Sequence, residues 1–143
     1  MLSTVTVVGV VVLAVLIWVY LRARSKDMIV ELMQKRAGTS KLVSRADYVE
    51  GLERMPVALS LADDSLYYEN PDLQASFELK HIDEIEYDDE LATGRPVEHG
   101  SRALRLRSHG ATFEFILDPI DCQKWAALLP ARRMGGTTTA RTA

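Results

Sequence analysis

The densest collection of ligand-type side chains lies just after His81, where Asp83, Glu84, Glu86, Asp88, Asp89 and Glu90 follow in close succession. Such a run could chelate a hard cation. A calcium loop, however, alternates its ligands, turns at a glycine and ends on a bidentate Glu, and that order is missing here. The run reads as a solvated acidic face. His81, His99 and His109 are too widely spaced for an HxxxH or Cys/His metal site. Cys122 stands near the start of a candidate helix, where a thiol can be activated. It shares an apolar face with Trp125, so a buried, inert thiol is expected. Asp118, Asp121 and a histidine could form a triad only on paper, since no spacing supports one. Arg95, Arg102, Arg105 and Arg107 form a basic concentration, and pairing with Glu114 and the acidic strand is its expected role. No enzyme, metal or cofactor is expected.

The elements that carry these residues are unevenly charged. The chain has 143 residues, enough for one modest domain and an anchor. Residues 1–21 carry no charged side chain. Residues 22–45 hold seven Lys/Arg against Asp27 and Glu31, a net of +5. Residues 46–130 hold seven Lys/Arg against eighteen Asp/Glu, a net of −11. That balance argues against nucleic-acid binding. The single cysteine excludes an intramolecular disulfide.

From Val5 to Leu21 there are eight Val, three Leu and one Ile. Together these supply about 4–7 kcal/mol toward insertion, and about twenty helical residues span the hydrocarbon core. Residues 1–26 therefore read as a transmembrane anchor with a basic stop. Val5, Val12 and Leu16 lie in the apolar stretch, Trp18 and Tyr20 in an interfacial belt, and Arg22 and Arg24 beyond it. A cleaved signal peptide would need positive charge before the apolar core. The charge follows it, so the expectation is a single-pass protein of the cell membrane, N-terminus outside and C-terminal domain cytoplasmic. Residues 27–44 read as a juxtamembrane helix and linker. Met28, Ile29, Leu32 and Met33 share one face, and the segment is expected to extend the membrane helix, with an interfacial amphipathic helix as the alternative.

Residues 45–130 read as the cytoplasmic domain. Lys41 to Met55 fits a short helix capped at Ser44 or an irregular strand, and the helix is preferred here. After Pro56 the period becomes two. Val57, Leu59 and Leu61 alternate with Ala58, Ser60 and Ala62. A turn at Asp63-Asp64 sets Leu61 against Leu66 and Leu59 against Tyr68. Asn70-Pro71-Asp72 turns again into Leu73, Ala75, Phe77 and Leu79. Ile82, Ile85 and Tyr87 continue the apolar side, and Leu91 to Ser101 reads as a loop. Turning at His109-Gly110 sets Leu106 against Phe113, Arg105 against Glu114 and Leu104 against Phe115. Asp118 and Pro119 then start a helix whose Cys122, Trp125, Leu128 and Leu129 share a face. Trp125, Leu128 and Leu129 are expected to plug the core. Residues 131–143 read as a disordered tail.

Three stretches carry a resemblance to a known fold: VALSLADDSLYYEN, FELKHIDEIEYDD and ATFEFILDPIDCQKWAALL. They resemble the opening hairpin, the strand with its Ile-x-x-Ile connection, and the last strand with Trp-bearing helix of pleckstrin-homology-like domains, GRAM-type bacterial ones included. The resemblance implies a small α+β fold, mainly antiparallel β: a partly open barrel capped by a C-terminal helix. It implies a binding module, with no catalytic residue to carry over. Phosphoinositide-binding relatives use basic residues at the first hairpin loop; here that loop is Asp63-Asp64, so headgroup binding by the domain is not expected. The expected function is a membrane-anchored, non-enzymatic adaptor with a protein partner; the alternative is a lipid or small-ligand sensor using the barrel mouth. Six strands are counted where the resembled fold has seven. An open edge near Thr112, Glu114 and Ile116, beside the C-terminal helix, is therefore the candidate interaction surface. The alternative is that Lys41–Val49 supplies the missing strand and covers that edge.

Overall fold

The computed structural model describes residues 3–133. Its first element is a single helix, α1, Thr4–Ala37. At 1.5 Å per residue it is about 51 Å long, of which the uncharged part to Leu21 accounts for about 27 Å. It is the one helix among the described residues that is long and apolar enough to cross a membrane. There is no break between the apolar part and residues 27–37; the apolar helix itself runs on to Ala37.

Eight strands follow among the described residues: β1 Leu42–Glu50, β2 Glu53–Leu61, β3 Ser65–Asn70, β4 Leu73–Glu78, β5 Ile82–Asp88, β6 Arg102–Ser108, β7 Ala111–Leu117 and β8 Arg132–Arg133. A short 3-10 turn, Leu79–His81, separates β4 from β5, and α2, Pro119–Leu128, lies between β7 and β8. The sheet runs β4-β3-β2-β1-β7-β6-β5-β8, antiparallel throughout, and curls into a half-barrel. Where β4 and β5 part, Arg132 donates from Nη2 to the carbonyl of Leu79 at 2.8 Å.

The hairpin registers follow the apolar faces. Leu61 faces Leu66 and Leu59 faces Tyr68. Leu106 faces Phe113, Arg105 faces Glu114 and Leu104 faces Phe115. His109 and Gly110 have φ of 50° and 76°, the paired positive values of a type I′ turn, whose twist matches that of the strands.

Three expectations are corrected. Lys41–Met55 holds no helix: β1 pairs with β2 along its whole length and with β7 from Asp47 to Val49. Its inward residues, Leu42, Ser44, Ala46 and Tyr48, include two small side chains, so the strand period carries little apolar contrast. Residues 42–44 thus belong to the sheet and not to a linker. At the other end, Arg132–Arg133 pairs with Glu84 and Ile85 of β5, so the described start of the tail is ordered strand; residues 134–143 lie outside the described residues.

Trp125 is fully buried and Leu129 nearly so, but Leu128 is half exposed. A helix this short presents one face to the sheet, and Leu128 falls beside it. The plug is Trp125, Leu129 and Cys122, packed on Leu59, Leu104, Phe115 and their neighbours.

Candidate functional site

The junction between α1 and the sheet is the most specific construction in the chain. The outward positions of β2 are Ala58 and Ser60, both buried although they face away from the core. Their small side chains let a helix come close. The second half of α1 lies there. Ile29 is 1% exposed, and Met28, Leu32 and Met33 are half-buried around it. One turn further, Arg36 reaches Glu69 of β3, itself buried. Both Nε and Nη2 of Arg36 donate to the carboxylate, Nε at 3.2 Å. Gln74 of β4 donates to the same carboxylate at 3.3 Å. The guanidinium also lies over the Tyr67 ring, 4.4 Å from its centroid, a favourable cation–π position. Bonding to Glu69 holds the Arg36 charge more firmly than usual, against some burial.

Toward the N-terminus the junction opens into a cleft of about 440 Å³. Leu21, Arg24 and Met28 line one side, and Met55, Pro56 and Asp72 the other. Along the apolar half of α1, Val5, Val12, Leu16, Trp18 and Tyr20 are all at least half exposed. Arg22 lies 5.3 Å from the centroid of the Trp18 ring.

The surface expected at Thr112, Glu114 and Ile116 is not an open edge. β7 lies between β1 and β6 and has a neighbour on each side. The loop after β5 folds over its outer face, where Leu91 packs with Ala103 and Ile116. The carboxylate of Glu114 accepts the Ala92 backbone N–H at 3.0 Å. Glu114 and Ile116 are therefore buried, and only Thr112 stays exposed. The alternative holds in part: Asp47–Val49 of β1 pairs with Glu114–Ile116, while Thr112 pairs with Arg107 of β6 alone among the described residues. Among the described residues the outer side of β4 has no neighbouring strand, and Gln74, Ser76 and Glu78 stand exposed along it.

Arg105 is the hub of the acidic face. It contacts Glu86 at 3.1 Å, Asp88 at 3.4 Å and Glu114 at 3.3 Å, and donates to the Glu90 carbonyl at 3.0 Å. Arg133 adds contacts to Glu84 at 2.7 Å and Glu86 at 2.9 Å. Hydrogen bonds from Arg133, then Arg105, hold the Glu86 carboxyl below the usual carboxylate range, in spite of burial. Among the described residues no group of three or more His, Cys, Asp or Glu is placed to hold a metal ion. The structure brings His81 and His109 together, ring centroids 5.1 Å apart, across a distance in sequence that hid the pair. Cys122 is buried, and burial pushes its thiol up, away from the reactive thiolate.

Sequence reasoning missed Arg36, Glu69 and Ser44. Arg36 extends the apolar stripe of Ile29 and Met33 by one turn, and the small pair Ala58 and Ser60 marked a face able to receive a helix. Ser44 reads locally as a helix cap, which hid its place in the core, where it accepts a hydrogen bond from the Trp125 indole N–H. Comparison with protein-family models, curated proteins and solved structures finds no match for this chain.

Proposed function

We propose that this chain is a membrane-anchored, non-enzymatic adaptor that presents a pleckstrin-homology-like domain to a protein partner on the cytoplasmic face. The strand order, the curled sheet and the Trp-bearing last helix are compatible with that fold. The observation that carries the reading is the junction. One helix runs from the apolar stretch into a buried contact at Ile29 and a carboxylate clamp at Arg36, so the domain's pose is coupled to the anchor. That continuity favours a retained anchor over a cleaved leader, since cleavage near residue 23 would strip the helix of its membrane half. Arg22, Arg24 and Lys26 favour a cytoplasmic C-terminal side.

The free outer side of β4 is the place for a partner. An extended segment can add there by backbone hydrogen bonds, and the net charge of −11 over residues 46–130 favours a basic one. Against the sensor alternative, aromatic rings occupy the space between the strands: Tyr68 and Phe115 are buried, Tyr48, Phe77 and Phe113 half-buried, in one cluster with centroids 4.6–5.4 Å apart. Acidic Asp63-Asp64 and the domain's net charge weigh against anionic headgroups. The test is a photo-crosslinking residue at Gln74 or Ser76 of the full chain in its native membrane. A discrete protein adduct at both positions, absent from the same probe at Asp63, is expected. Equal labelling at all three, or none, would overturn the β4 reading.

A further inference from the structure

We infer that the β1–β2 turn, led by Leu52, is a second contact with the bilayer, its side chain resting at the boundary between headgroups and acyl chains. The inference rests on α1 spanning the membrane.

Three observations place the turn. The first is exposure. Leu52 is 80% exposed, more than any other large apolar side chain beyond α1 among the described residues. It stands at the tip of a two-residue turn, Gly51-Leu52, between the paired residues Glu50 and Glu53. Gly51 has φ of +62°, the left-handed conformation that glycine adopts without strain, so the tight turn projects Leu52 outward.

The second is height along α1. Arg36 marks the upper level, where it binds Glu69, and Glu69 pairs with Ala58 of β2. Met55 and Pro56 mark the lower level, where they share a cleft with Leu21, Arg24 and Met28. Passing back along β2 from Ala58 to Met55 thus descends α1 from Arg36 toward Arg24. Leu52 lies three residues further in the same direction, about 10 Å at strand spacing. That brings it level with the stretch from Trp18 to Arg22, the aromatic and basic boundary of the apolar segment.

The third is rigidity. The Ile29 contact and the Arg36–Glu69 clamp fix the domain against α1, so the turn is held at this height and is not carried on a free linker. Glu50 and Glu53 keep the insertion shallow, because their carboxylates stay in water while Leu52 enters. The contact therefore suits a zwitterionic surface better than an anionic one.

Depth-dependent fluorescence quenching on the full chain tests this. In a Cys122→Ala background, an environment-sensitive dye is placed through Val12→Cys, Glu53→Cys or Asp63→Cys, each in phosphatidylcholine vesicles with nitroxide lipids. The dye at position 12 should be quenched by a nitroxide deep in the acyl chains. At position 53 it should be quenched by a headgroup-level nitroxide, and at position 63, at the opposite end of β2, it should not. A dye placed through Leu52→Cys should be quenched by a nitroxide in the upper acyl chains, deeper than the level that quenches position 53. Quenching at 53 no greater than at 63, with 12 still quenched, would overturn the contact and leave the spanning helix intact. Quenching at 52 no deeper than at 53 would overturn the entry of Leu52 into the boundary. No quenching at 12 would overturn the spanning helix and this contact together.

Discussion

Arg36 holds both carboxylate oxygens of Glu69, joining the last turn of the N-terminal helix to the third strand of the sheet. Glu69 is almost wholly buried, while the Arg36 side chain keeps about a quarter of its exposure. A buried carboxylate that loses its partner is left desolvated and unpaired. Arg36→Ala should therefore destabilise the domain by about 1–3 kcal/mol, with Gln74 offsetting part of the loss. Replacing both partners, Arg36→Met with Glu69→Leu, should bring stability back to within about 1 kcal/mol of the parent. Chemical denaturation of the full chain in detergent checks both. Equal losses in the single and double variants would show that the pair contributes nothing beyond its packing.

Trp125 donates its indole N–H to the Ser44 hydroxyl at 2.7 Å, both buried. Trp125→Ala should cost about 3–5 kcal/mol and Leu129→Ala about 2–5. Trp125→Phe keeps most of the ring contact but orphans the Ser44 hydroxyl, costing about 1–3 kcal/mol. Leu128→Ala, on the exposed side of the same helix, should change stability by no more than about 0.5 kcal/mol. Thermal unfolding followed by circular dichroism separates them, and a large loss at Leu128 would mean that the helix is rotated on the sheet.

Glu86 has its carboxyl held low by Arg133 and Arg105. Its folded pKa lies below the unfolded value of about 4.3. The contribution is therefore complete above the unfolded pKa and is lost as pH falls through the folded one. Glu86→Gln should lower stability at neutral pH and flatten its fall between about pH 5 and pH 2. Glu86 and Arg105 are partly exposed and Arg133 largely so, so added salt should shrink the effect. Urea midpoints measured across that range decide it; parallel curves for parent and variant would remove Glu86 from the acid response.

Amide exchange should rank the strands. Asp47–Val49 of β1 and Glu114–Ile116 of β7 have a neighbour on both sides, so the amides there should be among the slowest. The outward amides of β4 should exchange fastest among the long strands and slow when a partner binds. Protection of β4 equal to that of β7 in the free chain would mean that its outer side is already covered, and strand addition would be lost as a docking mode.

Topology has a direct readout. Protease added to intact cells should spare the domain, and opening the cells should expose it. Digestion from outside, or a mature chain that begins near residue 23, would reverse the proposed orientation or remove the anchor.

Read in order, the residues alone determined the apolar helix, its basic flank, the β2–β3 and β6–β7 hairpins with their registers, and the inward Trp125. Each of these is written in local contrast: a charge step after Leu21, a strict alternation on either side of Asp63-Asp64, a glycine after His109. β1 escaped because Ser44 and Ala46, on its inward face, give a weak apolar period. It is a strand because it pairs with β2 along its whole length, and β7 and Trp125, both far along the chain, fix its other edge and its inward face. The burial of Glu114 and Ile116 likewise depends on where the loop after β5 lands. The tertiary structure also decided that the stripe of Ile29 and Met33 turns to the sheet and not to lipid. Ala58 and Ser60 leave room for the helix there, and Glu69 supplies the charge that Arg36 needs. Local patterns report which face of an element is apolar. Which surface that face meets is set by contacts between segments distant in sequence, and only the assembled fold brings those together.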